Sequence, residues 1–371
     1  MRLVRLFEVE LPKRPKAQHH VRNHMRRGIS VLIQDKGTTS IGLVLEALDG
    51  ASRRQLDTSI ALQQARIDPE LLTSPQARVS AAAFSRLWVA LSDLLDDEFF
   101  GIDSHPMRRG SFQLMCQSSI DCESLEQALR RILKFLRLVL DDIHGELKIE
   151  DDCAVIVIHD KGVERRLFSY GTWLILVHGL LCWLGNRRIP IKELCFKPNR
   201  PLDDSDYRMR FCEEIQFGAP VTMIRFDRTF LSLKVVQNKA SLSAFLKESP
   251  ASLLVKYRNE DSTSAQIRMK LRGLNPEEWP ELDKVANTLR ISYSTLQRRL
   301  QAEGVSYQRL KDNLRRDMAI NLLCQPNMTV TEVAALTGFQ ESSAFHRAFK
   351  KWTGVSPGAY RRSNADESGG I

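Results

Sequence analysis

The chain reads as two folds in series: an α+β domain, with helices packed on a small antiparallel sheet, and after it an all-α domain. Three observations predict this. Apolar residues recur at helical spacing to about residue 140, then at a period of two between Gly145 and His159. A polar stretch with no apolar period, Arg258–Ser264, marks a boundary. Beyond it the helical pattern returns, and the polar faces of two segments there match position for position within a pseudo-repeat.

Taken in order, residues 1–36 form a basic stretch without an apolar run of signal-peptide length, expected to be a flexible arm, with Met25 an alternative start. From Gly37 to about Asp97 the spacing is helical, with Ile41, Val44, Leu45 and Leu48 on one inward face. Phe84, Leu87, Trp88, Leu91, Leu94 and Leu95 form a longer one, and Asp68-Pro69 and Ser74-Pro75 read as turns or helix starts. A further helix over about Glu123–Leu140 turns Leu125, Leu129, Ile132, Leu133, Leu136 and Leu140 inward. Gly145–Glu150 and Ala154–His159 then read as a hairpin across Asp151-Asp152-Cys153. The run Leu167–Leu184 is long enough to cross a membrane. It holds Ser169, Tyr170, Thr172 and His178, however, and has arginine pairs at both ends, so a helix buried against the sheet is expected instead. Strands near Ile191–Phe196 and Val221–Phe226, with a short helix near Asp203–Phe211, complete the α+β region.

The all-α region carries the chemistry. In the first segment Ser294, Gln297, Arg298 and Gln301 fall at i, i+3, i+4 and i+7; about 49 residues on, Ser343, His346, Arg347 and Lys350 do the same. Each set lies along one stripe of a helix, opposite Leu296 and Leu300 in one and Phe345 and Phe349 in the other. Each is preceded by a short helix and a turn: Ser292 is positioned to cap the first stripe helix, and Thr329 with Glu332 forms a capping box at the start of the second unit. Gly338 fits the tight turn of that unit, and Ala286 and Ala334 are small enough to let paired helices approach. Tyr307–Cys324 reads as one connecting helix of 18 residues, about 27 Å long at roughly 1.5 Å per residue. With the offset of each stripe helix from its end, that brings the two stripes near one turn of duplex DNA, about 34 Å.

These side chains suit double-stranded DNA. Arg298 and Arg347 can pair bidentately with guanine, Gln297 and Gln301 with adenine, and Ser294, Ser343 and His346 can donate to bases or phosphates. Arg299, Ser342, Lys350 and Lys351, with the helix N-termini, suit phosphate. Charge agrees. Between Gln266 and Arg362 there are 16 Lys and Arg against 9 Asp and Glu, a net of +7 out of +9 for the chain. The bland alternative, solvated faces of surface helices, is competitive for one such motif and poor for two in register.

Other classes are less well supported. The seven cysteines form no CxxC or zinc-finger spacing, and the histidines lack ligand spacing, so no metal site or cofactor is expected. A haem on His144 or His178 would need a Soret band to be entertained. No nucleophile elbow, phosphate loop or Rossmann glycine pattern supports an enzyme, and Asp141-Asp142 and Asp151-Asp152 sit at turn positions. A non-specific architectural binder would show a steep salt slope and little sequence preference. The expected compartment is the cytoplasm, with no membrane partner.

Gly338-Phe339, Phe345, Arg347, Phe349-Lys350-Lys351, Gly354, Ser356-Pro357 and Tyr360-Arg361 resemble the signature of AraC/XylS-type transcription regulators, and Leu296-Gln297-Arg298 resembles the reading helix of that family's first motif. The resemblance covers about Ala265 to Arg362 and implies that Ser294, Gln297, Arg298, Ser343, His346 and Arg347 hold base-facing positions; Ser294 is smaller than the residue some members carry there. Residues from about Gly37 to Leu233 resemble, less sharply, a helical sensor type found in some of these regulators rather than the β-barrel arabinose-binding sensor. The resemblance implies a transcription factor, often an activator, with RNA polymerase as a partner and an N-terminal domain that binds a small-molecule effector or mediates homodimerisation; it assigns no pocket residue. The expected organisation is thus a basic arm (1–36), an α+β sensor (37–257), a linker (258–264), a double helix-turn-helix domain (265–362) and a disordered tail (363–371).

Overall fold

A computed structural model describes residues 37–162, 165–255, 262–325 and 328–365; the expected arm and most of the expected tail lie outside them. The described residues fall within one compact unit. Two three-residue strands open the two halves of its first helical layer. β1 (Thr38–Ser40) leads into α1 (Ile41–Arg53), and after α2 (Ser59–Ala65) β2 (Arg78–Ser80) leads into α3 (Ala81–Leu95). Each strand ends on a serine whose hydroxyl caps the helix that follows: Ser40 accepts from Leu43 N and Ser80 from Ala83 N. The two strands pair antiparallel. Strands this short fall below any periodicity window, which is why this stretch reads as helix alone. The solvent side is also wider than the spacing suggests: Leu45 and Leu94 are 45% and 40% exposed, although their spacing places them inward.

α4 (Ser111–Ile120), which the apolar pattern does not reveal, and α5 (Leu125–Val139) lead to the sheet. Its strands are β3 (Ile143–Glu150) and β4 (Cys153–Asp160), then, after α6 (Leu167–Leu184), β5 (Ile191–Phe196), α7 (Ser205–Arg210), β6 (Ile215–Phe217) and β7 (Thr222–Asp227). The order is β3-β4-β7-β5-β6, an open sheet. The expected hairpin pairs Gly145 with Ile158 and Glu150 with Cys153. One pairing departs from the antiparallel expectation: β5 and β6 run parallel. The chain between them passes through α7, and parallel neighbours need such a crossover.

α6 passes the length and hydropathy test for a membrane span, yet 89% of it is buried inside the protein. Its mid-helix His178 shares a hydrogen bond of 2.9 Å with Ile189 O. Burial, the charge of Arg210 and that of Arg188 together outweigh this bond and push the imidazole down to about 3, so it is neutral.

Two short helices, α8 (Lys239–Glu248) and α9 (Ala251–Val255), precede the all-helical part. There follow α10 (Thr263–Arg272), α11 (Leu282–Thr288), α12 (Tyr293–Ala302), α13 (Tyr307–Leu323), α14 (Val330–Leu336), α15 (Ser342–Thr353) and α16 (Pro357–Ala365). α10 starts inside the stretch read as linker, and α16 extends three residues into the stretch read as tail. Ala319, Ile320, Leu323, Val333, Ala334, Phe345, Phe349 and Tyr360 join one continuous apolar core with α1, α3 and α6. Ile267, Leu271, Val285, Leu296, Leu300 and Leu310 are equally buried but lie outside that cluster, in the core of the first motif.

Candidate nucleic-acid interface

Each stripe helix is fixed from below by its apolar side. In α12, Leu296 and Leu300 are 0% and 2% exposed; in α15, Phe345 and Phe349 are both 0% exposed. Burying each such side chain contributes about 1.5–3 kcal/mol, enough to hold the opposite stripe outward. All four first-stripe residues, Ser294, Gln297, Arg298 and Gln301, are exposed, as are Ser343, His346, Arg347 and Lys350 in the second. Lys351 is exposed and Ser342 half-buried at the first turn of α15. The predicted residues thus form two coherent solvent faces. Arg299 stands to one side: it is exposed but lines a polar cleft together with Glu193, Glu213, Glu214 and Glu303.

The local devices are those the residue types dictate. Ser292 accepts from Thr295 N at 3.2 Å and caps α12. The capping box of α14 closes in both directions, Glu332 N donating to Thr329 Oγ1 at 3.2 Å and Thr329 N to Glu332 Oε2 at 2.7 Å. Glu332 is held below the ordinary carboxylate range by the Thr329 backbone N–H first and its hydroxyl second. Gly338 has φ +83° in the turn before α15, and a Cβ there would crowd Pro276 at 2.9 Å. The N-cap residue of α15, Glu341, makes no side-chain hydrogen bond to the first turn of the helix. Two base-facing hydroxyls already have local company: Ser343 Oγ donates to Glu341 at 3.3 Å, and Ser294 Oγ lies 3.1 Å from Ser292 Oγ.

α13 connects the two motifs. Its 17 residues span about 25 Å at roughly 1.5 Å per residue. At its start Tyr307 donates its hydroxyl to Pro280 O at 2.5 Å, and Arg315 stacks over the Trp279 ring at 5.0 Å, tying it to the first motif. At its far end it packs on α14, α15 and α16. It is therefore seated at both ends rather than free to bend between the motifs.

Two residues escaped the sequence reading. Tyr293, directly after the cap of α12, is 51% exposed beside Ser294. Arg290 has φ +56° and occupies the turn that Gly338 occupies 48 residues later. The repeat offset was the available signal for Arg290: where one copy has glycine, the other holds a cation in the left-handed region, at a cost of order 1 kcal/mol or more.

The sequence is similar to those of known regulators. A family model described as the arabinose-binding domain of AraC transcription regulators matches residues 56–235, and a helix-turn-helix domain model matches residues 285–363. The first description speaks of arabinose; in this chain the matched region carries an open sheet rather than a closed barrel. The ornithine utilization regulator of Pseudomonas aeruginosa is 25% identical over 334 residues, covering 86% of this chain and 94% of that protein. The transcriptional regulator VirS of Mycobacterium tuberculosis is 35% identical over 209 residues, covering 55% of this chain and 59% of its own length. Among solved structures, the regulator CdpR from Pseudomonas aeruginosa covers 86% of this chain and 98% of its own at 19% identity and a TM-score of 0.29. With an N-terminal regulator domain followed by a paired helix-turn-helix region, the chain belongs to the AraC-type transcriptional regulators, which bind DNA.

Proposed function

We propose that the chain reads two successive major grooves of one operator, on one side of the duplex, in response to a small effector. The observation that carries this is the pair of matched exposed stripes on α12 and α15, joined by a helix seated at both ends. Arg298 and Arg347 are assigned to guanine, Gln297 and Gln301 to adenine, and Ser294, Ser343 and His346 to base edges. Arg299, Ser342, Lys350 and Lys351 are assigned to phosphate, helped by the first turn of α15. The chain acts in the cytoplasm as a regulator without catalysis of its own, most simply as an activator that contacts RNA polymerase, and it pairs through the N-terminal region. Support for these finer points comes from the family alone.

Footprinting of the full chain on sites selected from genomic DNA tests the reading. Two protected major-groove patches about 10–10.5 base pairs apart are expected. A single patch, or equal affinity for selected and random duplexes, overturns it.

A further inference from the structure

The N-terminal region contains a narrow cleft, partly open to solvent, with about 60 Å³ reachable by the centres of water-sized molecules. Its walls are mostly apolar, with Phe84, Trp88, Phe168, Ile175 and Phe211 prominent. Its polar lining includes Thr38 of β1, and Asp206 and Arg210 of α7 are the charged residues among its described lining.

Thr38 and Asp206 have a second set of partners. Asp206 is ion-paired to Arg78 and accepts from Ser40 N at 3.0 Å. Arg78 Nε donates to Thr38 Oγ1 at 2.8 Å, and Thr38 Oγ1 donates in turn to Asp317 of α13 at 2.8 Å. Asp317 also receives two bonds of 3.1 Å from Arg316. Burial alone would raise both carboxyls. For Asp206 the guanidinium of Arg78 and the Ser40 donors outweigh it, and for Asp317 the guanidiniums of Arg316 and Arg78 with the Thr38 hydroxyl do; both stay below the ordinary range and charged. Arg78 reaches the second motif as well, since its carbonyl accepts from the Tyr360 hydroxyl at 3.1 Å. Tyr360 packs edge-on against Phe349 of α15 at 5.6 Å, and Phe349 packs against Phe345. Ser74, between α2 and β2, donates to Thr353 O at 3.0 Å, an approach that Gly354 permits because a Cβ there would overlap Ser74. A few buried residues are therefore at once the polar wall of the cleft and the seat of the DNA-reading part.

We infer that this cleft is the effector site, that it takes a small, predominantly apolar molecule whose polar end lies at Thr38, Asp206 and Arg210, and that its occupancy is transmitted to α13 through the Thr38–Asp317 bond. The inference rests on the reading of the chain as an effector-responsive DNA-binding regulator, and it adds the place, the ligand chemistry and the route. A ligand group that settles at Thr38 and Asp206 competes for the Thr38 hydroxyl, which now donates to Asp317 of α13, and for the Asp206 carboxylate, which now holds Arg78. A ligand thus acquires the differential affinity for two arrangements that a switch requires.

The test uses the full chain without DNA and anilinonaphthalene sulfonate as probe, an apolar aromatic body with one polar end. Fluorescence titration should show saturable binding, weakened at least about tenfold by Ile175→Trp, which fills the cleft. Leu43→Trp, at a second half-buried wall position, serves where the first variant does not fold. Hydrogen exchange should then show the bound probe altering residues 307–323 in the parent chain, not in Thr38→Val, and again in Thr38→Ser, which restores the hydroxyl. Absence of binding, equal binding by the filled variants, unchanged exchange in α13, or an effect that survives Thr38→Val each overturns the inference. With no duplex present, these failures leave the two-groove reading intact, and a failed footprint leaves this assay intact.

Discussion

The two helix-turn-helix motifs share one polar and apolar pattern but are held in opposite ways. The second is fused to the rest of the protein: Phe345, Phe349 and Tyr360 belong to the same core as α3 and α6, and Ser74 and Arg78 bond directly to Thr353 and Tyr360. The first has its own small core and meets the sheet edge across a polar cleft lined by Arg208, Glu213, Arg299 and Glu303. There Glu213 is raised, by burial first and by the charge of Glu303 second, and Glu303 is occupied by the N–H groups of Thr263 and Ser264. Apolar fusion is stable and poorly adjustable, whereas a wet, charged contact is cheap to rearrange. The second motif is therefore held by a shared apolar core, and the first meets the sheet edge through charged and polar groups.

The largest way to break this contrast is to empty the two cores in turn. Phe349→Ala should cost about 3–5 kcal/mol and Leu300→Ala about 2–5 kcal/mol. Hydrogen exchange separates them: Phe349→Ala should loosen α3 and α6 along with α15, while Leu300→Ala should leave α3 and α6 protected. Protection lost equally across both regions in both variants would dissolve the distinction.

Next come the reading stripes. Arg347→Ala and Arg298→Ala should each lower operator affinity by about 1–3 kcal/mol and relax preference at one base pair, read by competition binding against a library of single-position variants. A uniform loss over all sequences would move the arginine concerned to phosphate.

Acid probes the side to which the second motif is fused. His178 is neutral in the folded protein, its pKa being pushed from 6.5 to about 3. Between those values the unfolded chain binds a proton that the folded chain does not, so stability should fall as pH drops below 6.5, by up to about 1.4 kcal/mol per unit. Chemical denaturation at pH 7.5 and 5.5 measures this, and His178→Gln should flatten the slope. A slope that persists in the variant would assign the effect to another group.

Smaller still is the cap of the second motif: Thr329→Ala should cost about 1 kcal/mol, with the loss confined to α14 and α15. Smallest is Arg290→Gly. Relief of the left-handed turn offsets the added chain entropy, so stability should move by less than about 1 kcal/mol. Affinity for DNA falls only where Arg290 contacts phosphate, which a reduced salt slope would show.

Much of this was legible in the residues. The 3.6-residue period, the serine and threonine caps, the T-x-x-E box and the turn glycine set out the two motifs because each is a local matter of one helix and its ends. α6 was legible as buried, since its mid-run serine, threonine and histidine argue against lipid. The hairpin and the strands near 191 and 222 followed from the period of two. What escaped was either too short, as with β1 and β2, or decided by neighbours, as with the exposure of Leu45 and the parallel pairing of β6.

The amino-acid order by itself determined which faces of α12 and α15 are apolar and which carry the polar stripe, because side-chain direction repeats with the helix. Tertiary structure alone decided that Thr38, Arg78, Asp206 and Asp317, up to 279 residues apart, meet in one buried network at the edge of a cleft. No local pattern encodes such a meeting. It arises from the packing of two short strands against a helix from the far end of the chain, and charged groups tolerate burial there only because each finds its counter-charge.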